Sequence, residues 1–267
     1  SRYRLRAMTD ATGPGMFDAA CTAVGYNFIS PEVRAAMKVS LPCLKKEYGF
    51  KKMYLWGKLK GMSADYYIAT GVFHSLKESE KKYFYCSDGV NWAQMAEPDD
   101  ATVAACAKIP ANAALTGDAS FQYTVVKEVP QGEEPPENED DLVVKLTEDV
   151  RAACIVKDID GTIAMVPVGA ITTDPKLGVP IDNTTFGGLS QPASLALTSW
   201  ELLNGASASH QLVGSLKSKY IASHDLAVLR SLHWPGFTAF ATPNTSKWGY
   251  CYVGDGQKNA DIAFCLP

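Results

Sequence analysis

The clearest helical pattern of hydrophobic and polar positions lies in residues 31–48. Apolar residues recur there at spacings of three and four, which predicts one apolar stripe along a helix. They are Val33, Met37, Leu41, Leu44 and Tyr48. Ser30 is a favourable N-cap and Gly49 a common helix end. Because Pro42 removes an internal hydrogen bond, we predict one kinked helix or two short ones.

The pattern then changes to one typical of strands. Residues 52–73 are rich in Tyr, Trp and Ile and contain two glycines near their middle, which predicts two strands joined near residues 61–64. Residues 81–92 predict a third strand that ends in a Ser-Asp-Gly turn. Aromatic residues alternate with turn residues over 238–254, and this pattern predicts a further hairpin.

Three other segments carry weaker patterns. Residues 98–109 predict a short helix capped by Asp99 or Asp100. Residues 150–167 hold two β-rich arms around Asp160-Gly161, which predicts a hairpin. Residues 190–205 predict a helix that Ser190 caps and Gly205 ends.

Together these elements predict a single α+β domain with an antiparallel sheet, β-hairpins and two to three helices over residues 30–267. Residues 1–29 form a weakly patterned N-terminal segment. Residues 128–141 include seven acidic residues and three prolines. Charge repulsion and proline oppose packing there, so we expect an exposed acidic loop, more simply a solvated spacer than a docking tail.

Composition narrows the choice of partners. The net charge is −4, and no dense basic stripe occurs, so we expect no nucleic acid partner. No apolar run approaches the ~20 residues of a membrane span, so we expect no membrane partner. The seven cysteines are widely spaced, odd in number and without a C-x-x-C pair, which favours free thiols in a reducing compartment.

One motif indicates chemistry. Asp158 and Asp160 in the sequence IVKDIDGTI have the spacing of the two carboxylates of haloacid-dehalogenase-type phosphatases, and Asp255 lies in a GDG segment like the Mg²⁺ loop of those enzymes. However, about 157 residues precede Asp158, and the GDG loop is out of register. We therefore interpret the two aspartates as a solvated hairpin tip and keep an Mg²⁺-dependent phosphatase as the alternative. We predict no catalytic residue, metal or cofactor.

The sequence LRSLHWPGFTAF indicates a bend instead. Proline fixes its φ angle and glycine adopts backbone angles that other residues avoid. Trp234-Pro235-Gly236 is therefore predicted to be a corner between two strands, held by a buried indole.

Several motifs together resemble the radial spoke head protein 9 family. The tail around WPG and KWGYCYVGDGQKNADIAF, the W-G-x-x-x-G and A-D-Y-Y-I-A pattern of residues 54–71, and Val166-Pro167 with Gly169-Ala170 occur in family order. Val168 stands where the family typically has arginine. The resemblance implies a non-catalytic subunit of the radial spoke head, in the cytoplasm and cytoskeleton at the axoneme of motile cilia and flagella. It also implies relay of central-pair signals toward dynein, pairing with the larger related head subunits, and homodimer formation.

An assembly subunit needs aromatic residues at its contact surfaces. We therefore expect nine residues to be structural or interface positions, with part of the strand aromatics pointing outward. They are Trp56, Tyr66, Tyr67, Trp234, Pro235, Gly236, Trp248, Tyr250 and Tyr252.

Overall fold

The computed structural model describes residues 16–110, 113–126, 143–211 and 214–265, which contain six α-helices and fourteen strands. The helices are α1 Met16–Val24, α2 Pro31–Tyr48, α3 Asp100–Cys106, α4 Glu148–Thr162, α5 Gln191–Leu195 and α6 Ile262–Cys265. The strands are β1 Lys52–Leu59, β2 Tyr66–Val72, β3 Lys82–Cys86, β4 Ala93–Gln94, β5 Gln122–Val126, β6 Val143–Thr147, β7 Met165–Pro167, β8 Ile171–Thr173, β9 Pro180–Asp182, β10 Trp200–Leu202, β11 Leu216–Ile221, β12 Leu226–Ser231, β13 Phe237–Ala241 and β14 Trp248–Gly254. The α+β prediction is confirmed, with more helices than the two to three expected.

Eight strands form the main sheet, in the order β11-β12-β13-β14-β1-β2-β3-β4. Every neighbouring pair is antiparallel except β14 and β1, which run parallel at the centre of the sheet. The remaining strands form three antiparallel two-stranded ribbons, β5–β6, β7–β10 and β8–β9. The two halves of the chain therefore meet along one central strand pair.

The main sheet is covered on both faces. Residues of α4 and of the β7–β10 ribbon pack on one face, which we call the α4 face, with a core that includes Trp56, Val156 and Trp200. Helices α1 and α2 pack on the other, which we call the α2 face, with a core that includes Leu41 and Phe84. Because successive side chains of a strand alternate between faces, the central strands are buried along nearly their whole length.

Helix α2 follows its sequence pattern closely. The Ser30 hydroxyl accepts a hydrogen bond from the Val33 N–H at 3.3 Å, and Gly49 ends the helix in the left-handed conformation with φ of 72°. Pro42 lies inside the helix, which continues as one element through it. The buried stripe consists of Met37, Leu41 and Leu44.

Helix α1 lies in the segment that the sequence analysis left without an element. Ala20 and Ala23 are buried on the α2 face. Arg230 on β12 donates hydrogen bonds to the carbonyl oxygens of Ala23 at 2.8 Å and Val24 at 3.0 Å, which satisfies the end of the helix. The described part of residues 1–29 is therefore tied to the sheet.

Several predicted elements are confirmed. They are the β1–β2 pair, β3 with its turn at Asp88, helix α3 with Asp99 as its cap, and the β13–β14 hairpin. The predicted acidic loop at 128–141 lies outside the described residues.

Two predictions are wrong. Residues 150–162 belong to helix α4 and do not form a hairpin, because burial of one side of the helix against the sheet overrides the β preference of Ile and Val. The helix predicted at 190–205 begins at the Ser190 cap but ends at Leu195, where a 3₁₀ turn and β10 follow. Trp200 pairs with Pro167 as a strand residue there.

None of the described helices has both the length and the apolar character that crossing a membrane requires.

Candidate functional site

The first residue of α4 places a carboxylate inside the protein. The Glu148 side chain is fully buried. Its Oε1 accepts hydrogen bonds from the Tyr66 hydroxyl and the Gly117 N–H, both at 2.7 Å. Its Oε2 accepts from the Thr116 N–H at 2.7 Å, the Thr116 hydroxyl at 2.9 Å and the Tyr123 hydroxyl at 2.7 Å. Five donors thus surround one carboxylate, which joins α4 to the sheet and to β5.

These donors control the pKa of Glu148. Burial alone raises the pKa of a carboxyl group. Here the hydrogen bonds from Thr116, Tyr123, Tyr66 and Gly117 outweigh that effect and hold the pKa below its usual value of 4.5. The side chain is therefore ionised at neutral pH.

A second buried carboxylate lies near the other end of α4. Asp160 is 6% exposed. Its Oδ1 accepts hydrogen bonds from the Trp56 indole N–H at 2.7 Å and the Tyr250 hydroxyl at 3.4 Å. Its Oδ2 accepts from the Lys81 ammonium at 3.0 Å and from the Tyr83 hydroxyl. Burial and the Asp160 charge raise the pKa values of both tyrosines well above the usual value of 10.0, so both hydroxyls stay protonated as donors.

The interpretation of Asp158 and Asp160 as a solvated hairpin tip is therefore wrong. Two positions apart on an α-helix, their side chains point about 200° apart around its axis. Asp158 pairs with Lys258 at 2.6 Å on the surface, whereas Asp160 faces the sheet. Asp255 in the GDG segment accepts a hydrogen bond from the Gln257 N–H at 3.1 Å. The three aspartates of the phosphatase pattern thus serve separate contacts, and nothing in the geometry supports that activity.

Within the described ranges, no group of three or more His, Cys, Asp or Glu side chains converges on a site that could hold a metal ion.

The tryptophan of the WPG corner makes a third polar connection to α4. The predicted corner between β12 and β13 with a buried indole is confirmed, since Trp234 is 2% exposed. Its indole N–H donates to the Thr162 hydroxyl at the end of α4 at 2.9 Å, and its backbone N–H donates to the Ser231 hydroxyl at 3.0 Å. The corner therefore fixes the C-terminal end of the helix.

Two glycines of the sequence motifs receive the backbone of β14. A Cβ atom on Gly57 would lie 2.0 Å from the Tyr252 carbonyl oxygen, and one on Gly236 would lie 2.3 Å from that of Val253. The Val253 N–H donates to the Gly236 carbonyl oxygen at 3.1 Å. Because any side chain would push the strands apart, both positions require glycine. The separate motifs around residues 57, 236 and 252 thus form one packed unit.

A shift in strand register places one of the motif tryptophans. The pairing of β1 with β2 shifts between Leu55 and Gly57, which makes Trp56 the extra residue of a β-bulge. The bulge directs the indole toward α4, where it meets Asp160 and packs 5.6 Å from the Tyr252 ring centroid.

The nine predicted site residues fall mainly in the interior. Six rings lie on the α4 face, and Tyr67 lies on the α2 face. The six are Trp56, Tyr66, Trp234, Trp248, Tyr250 and Tyr252. The expectation that part of this set points outward is wrong, because helices and ribbons cover both faces of the strands. Pro235 is exposed and Gly236 is half-buried.

Of the two carboxylates that organise this site, the sequence analysis missed Glu148 and misinterpreted Asp160 as solvated. The start of α4 does carry a signal, since Glu148 and Asp149 follow Thr147 as acidic residues of a first helical turn. No local signal identifies Asp160 as buried, because its donors come from three strands and a loop distant in sequence.

The central motif forms a short strand and a turn. Val166 on β7 and Ala170 are fully buried, and Gly169 between them has a positive φ of 81°. Val168, at the position where arginine is typical, is 47% exposed and donates its backbone N–H to the Ser199 carbonyl oxygen at 2.9 Å.

Comparison with known proteins gives a consistent result. The sequence model of the family described as radial spokehead-like protein matches residues 124–267. The chain is similar to radial spoke head protein 9 homologues of Homo sapiens, at 32% identity over 263 residues, and of Bos taurus, at 32% over 265 residues. A homologue of the same name from Danio rerio is 32% identical over 261 residues. Each alignment covers 89% of this chain and 93% of the relative.

Proposed function

Because this chain belongs to the radial spokehead-like protein family, we propose that it is a structural subunit of a radial spoke head in motile cilia or flagella. The observation that carries the proposal is the position of the motif residues. Trp56, Gly57, Trp234, Gly236 and Tyr252 pack against one another around β14 inside the protein. Residues that pack in this way support the shape of the protein rather than a reaction at its surface.

We propose that the subunit acts as a rigid, non-catalytic scaffold. A part that relays mechanical signals from the central pair toward the dynein arms must not deform under load. The polar contacts of Glu148, Asp160 and Trp234 fix α4 near both of its ends. Such directional contacts oppose sliding and rotation of the helix, which apolar packing alone resists less.

The proposed partners are the larger related radial spoke head subunits and a second copy of this chain, and the proposed location is the axoneme. In this proposal the aromatic residues of the motifs stabilise the interior, and exposed apolar side chains make the contacts with partners. Two such side chains are Val39 on α2, which is 69% exposed, and Val168, which is 47% exposed.

The proposal is tested by co-expressing the tagged chain with a larger radial spoke head subunit and measuring co-purification and mass by light scattering. We expect a stable complex and, for the chain alone, a dimer that dissociates on dilution. Val39→Lys and Val168→Lys test the contact surface without disturbing the core. A chain that remains monomeric and binds no head subunit would contradict the proposal.

A second experiment separates structure from catalysis. A ciliated cell depleted of its own family member is supplied with the wild-type chain or with Asp158→Asn. The surface carboxylate of Asp158 is the position that a phosphatase would need, and we expect the variant to restore beating as fully as the wild type. Loss of rescue with normal assembly would argue for chemistry instead.

A further inference from the structure

Two thiols meet where α3 packs against α4. Cys106 is the last residue of α3 and is half-buried, whereas Cys154 on α4 is buried. Both cysteines are free and line the same cavity, and each thiol shifts the pKa of the other. The Lys157 ammonium, one turn further along α4, donates to the Pro98 carbonyl oxygen at 2.8 Å and fixes the helix beside the segment that leads into α3. The two sulfur atoms are therefore neighbours before any reaction.

The surroundings give the two thiols different properties. The hydrogen bond from Cys154 and the positive charge of Arg151 lower the pKa of Cys106. The same hydrogen bond and burial raise the pKa of Cys154. Arg151 is held in place because it donates to the Ala113 carbonyl oxygen at 2.5 Å and packs 4.7 Å from the Tyr123 ring centroid. Cys106 is thus the thiol that ionises first.

Access from solvent comes through a cavity of 590 Å³ that both cysteines line. Its wall also includes Arg151, Lys157 and Trp234. A small oxidant can reach the half-buried Cys106 there, whereas Cys154 is buried. An ionised, accessible thiol next to a second thiol is the arrangement that favours a disulfide over further oxidation of sulfur.

We propose that Cys106 and Cys154 are a reversible redox-modification site, at which a hydroperoxide links α3 to α4 by a disulfide bond. This role goes beyond that of a scaffold subunit. No other described pair offers the same arrangement. Cys43 and Cys265 are exposed without a cysteine partner. Cys21 and Cys251 influence each other but are both buried, and burial raises the pKa of Cys21 and raises those of Cys86 and Cys251 to about 12.

The chemistry balances with hydrogen peroxide as the oxidant. The Cys106 thiolate attacks one peroxide oxygen, the O–O bond breaks, and the departing hydroxide takes up a proton to give water. The sulfur of Cys154 then loses its proton and attacks the Cys106 sulfur, breaking the S–O bond. The second hydroxide leaves with that proton as water. The two sulfurs together lose two electrons, which reduce the peroxide.

The test uses the full chain, reduced and then exposed to limited hydrogen peroxide. Remaining thiols are alkylated after unfolding, and the digest is examined by mass spectrometry. We expect the intact mass of the chain, measured before alkylation, to be lower by two hydrogens. In the digest we expect a cross-linked peptide pair containing Cys106 and Cys154, and full reversal by dithiothreitol.

Variants locate the bond. Cys106→Ser and Cys154→Ser should each abolish the cross-link, and Cys43→Ser should leave it unchanged. The assignment does not depend on how the variants fold, since the wild-type peptides report it directly. Added oxygen at Cys106 without a cross-link, a disulfide between other cysteines, or no change in mass would overturn the proposal.

Discussion

The two faces of the main sheet hold their helices in different ways. On the α2 face, Met37, Leu41 and Leu44 of α2 pack against apolar side chains such as Phe84, and the ends of the helix are set by its own cap and stop residues. On the α4 face, the helix adds buried charge to its apolar contacts, with Glu148 and Asp160 hydrogen-bonded to side chains of the sheet.

The difference shows how one sheet can use two kinds of attachment. Apolar burial is non-directional and tolerates small displacements of a helix. Charged hydrogen bonds have narrow geometry, and removing one partner leaves the others unpaired in the interior at high cost. The α4 face is therefore the part of the molecule with the more exact geometry and the greater sensitivity to single substitutions.

The strongest test of this contrast is Asp160→Ala. We expect a loss of ~4 kcal/mol in the free energy of unfolding, because the Trp56 indole and the Lys81 ammonium lose their buried acceptor. Urea denaturation followed by tryptophan fluorescence measures the loss. Asp158→Ala on the same helix is the matched control and should cost under ~0.5 kcal/mol, since its ion pair is solvent-exposed. Equal losses of unfolding free energy for the two variants would mean that the buried carboxylate adds no special stability to the α4 face, and the contrast with the α2 face would then fail.

On the α2 face, Leu41→Ala should cost ~3 kcal/mol, because the side chain is fully buried and a cavity remains. The control is Val39→Ala, whose side chain is 69% exposed and should matter little. The loss at Leu41 should be the same at pH 4 and pH 7 in urea titrations. A loss that depended on pH would indicate that charged groups also support the attachment of α2.

Glu148→Gln should cost ~2 kcal/mol at pH 7, because the amide group meets donors where the carboxylate accepted hydrogen bonds. The folded pKa of Glu148 is lower than its unfolded value, so its contribution is complete above about pH 4.5 and is lost as pH falls through the folded pKa. In the variant, the free energy of unfolding measured in urea should therefore decrease less steeply as the pH is lowered below about 4.5. Glu47→Gln on the exposed side of α2 is the control, and an unchanged acid slope in Glu148→Gln would contradict the assignment.

The smallest effect compares the helix caps. Ser30→Ala should cost ~1 kcal/mol, because the Ser30 hydroxyl accepts a hydrogen bond from the first turn of α2. Thr147 precedes α4 without such a side-chain bond, so Thr147→Ala should cost less. Thermal unfolding by circular dichroism ranks the two. The reverse order would mean that local capping also determines where α4 begins.

The same contrast explains which elements the sequence predicts. Helix α2 has a cap, a stop and an apolar stripe within its own residues, so its bounds could be assigned from residues 30–49 alone. Helix α4 has Asp158 and Asp160 within its apolar pattern and Gly161 in its last turn, and these residues suggest a turn when considered locally. Its helical state depends on donors from β1, β3 and β14, which no local pattern reveals.

The motif residues of the candidate site could be identified from the sequence, but their burial could not, because burial also depends on contacts distant in sequence. The tryptophans and glycines of the motifs were identified by residue type, and the corner at Trp234 follows from proline and glycine chemistry. Whether a strand aromatic is exposed depends on what covers the sheet, which is a tertiary property. Tyr66 and Tyr67 are neighbours on β2, yet they are buried against opposite helices.

The parallel contact between β1 and β14 has a consequence for biosynthesis. Residues 57–59 pair with residues 252–254. The centre of the sheet can therefore form only after β14, near the end of the sequence, has been synthesised. A nascent chain emerges from the ribosome in order, and contacts between segments so distant in sequence form slowly. Throughout translation, β1 therefore presents an open backbone edge to solvent, and we expect a chaperone that shields this edge until release to raise the yield of native protein.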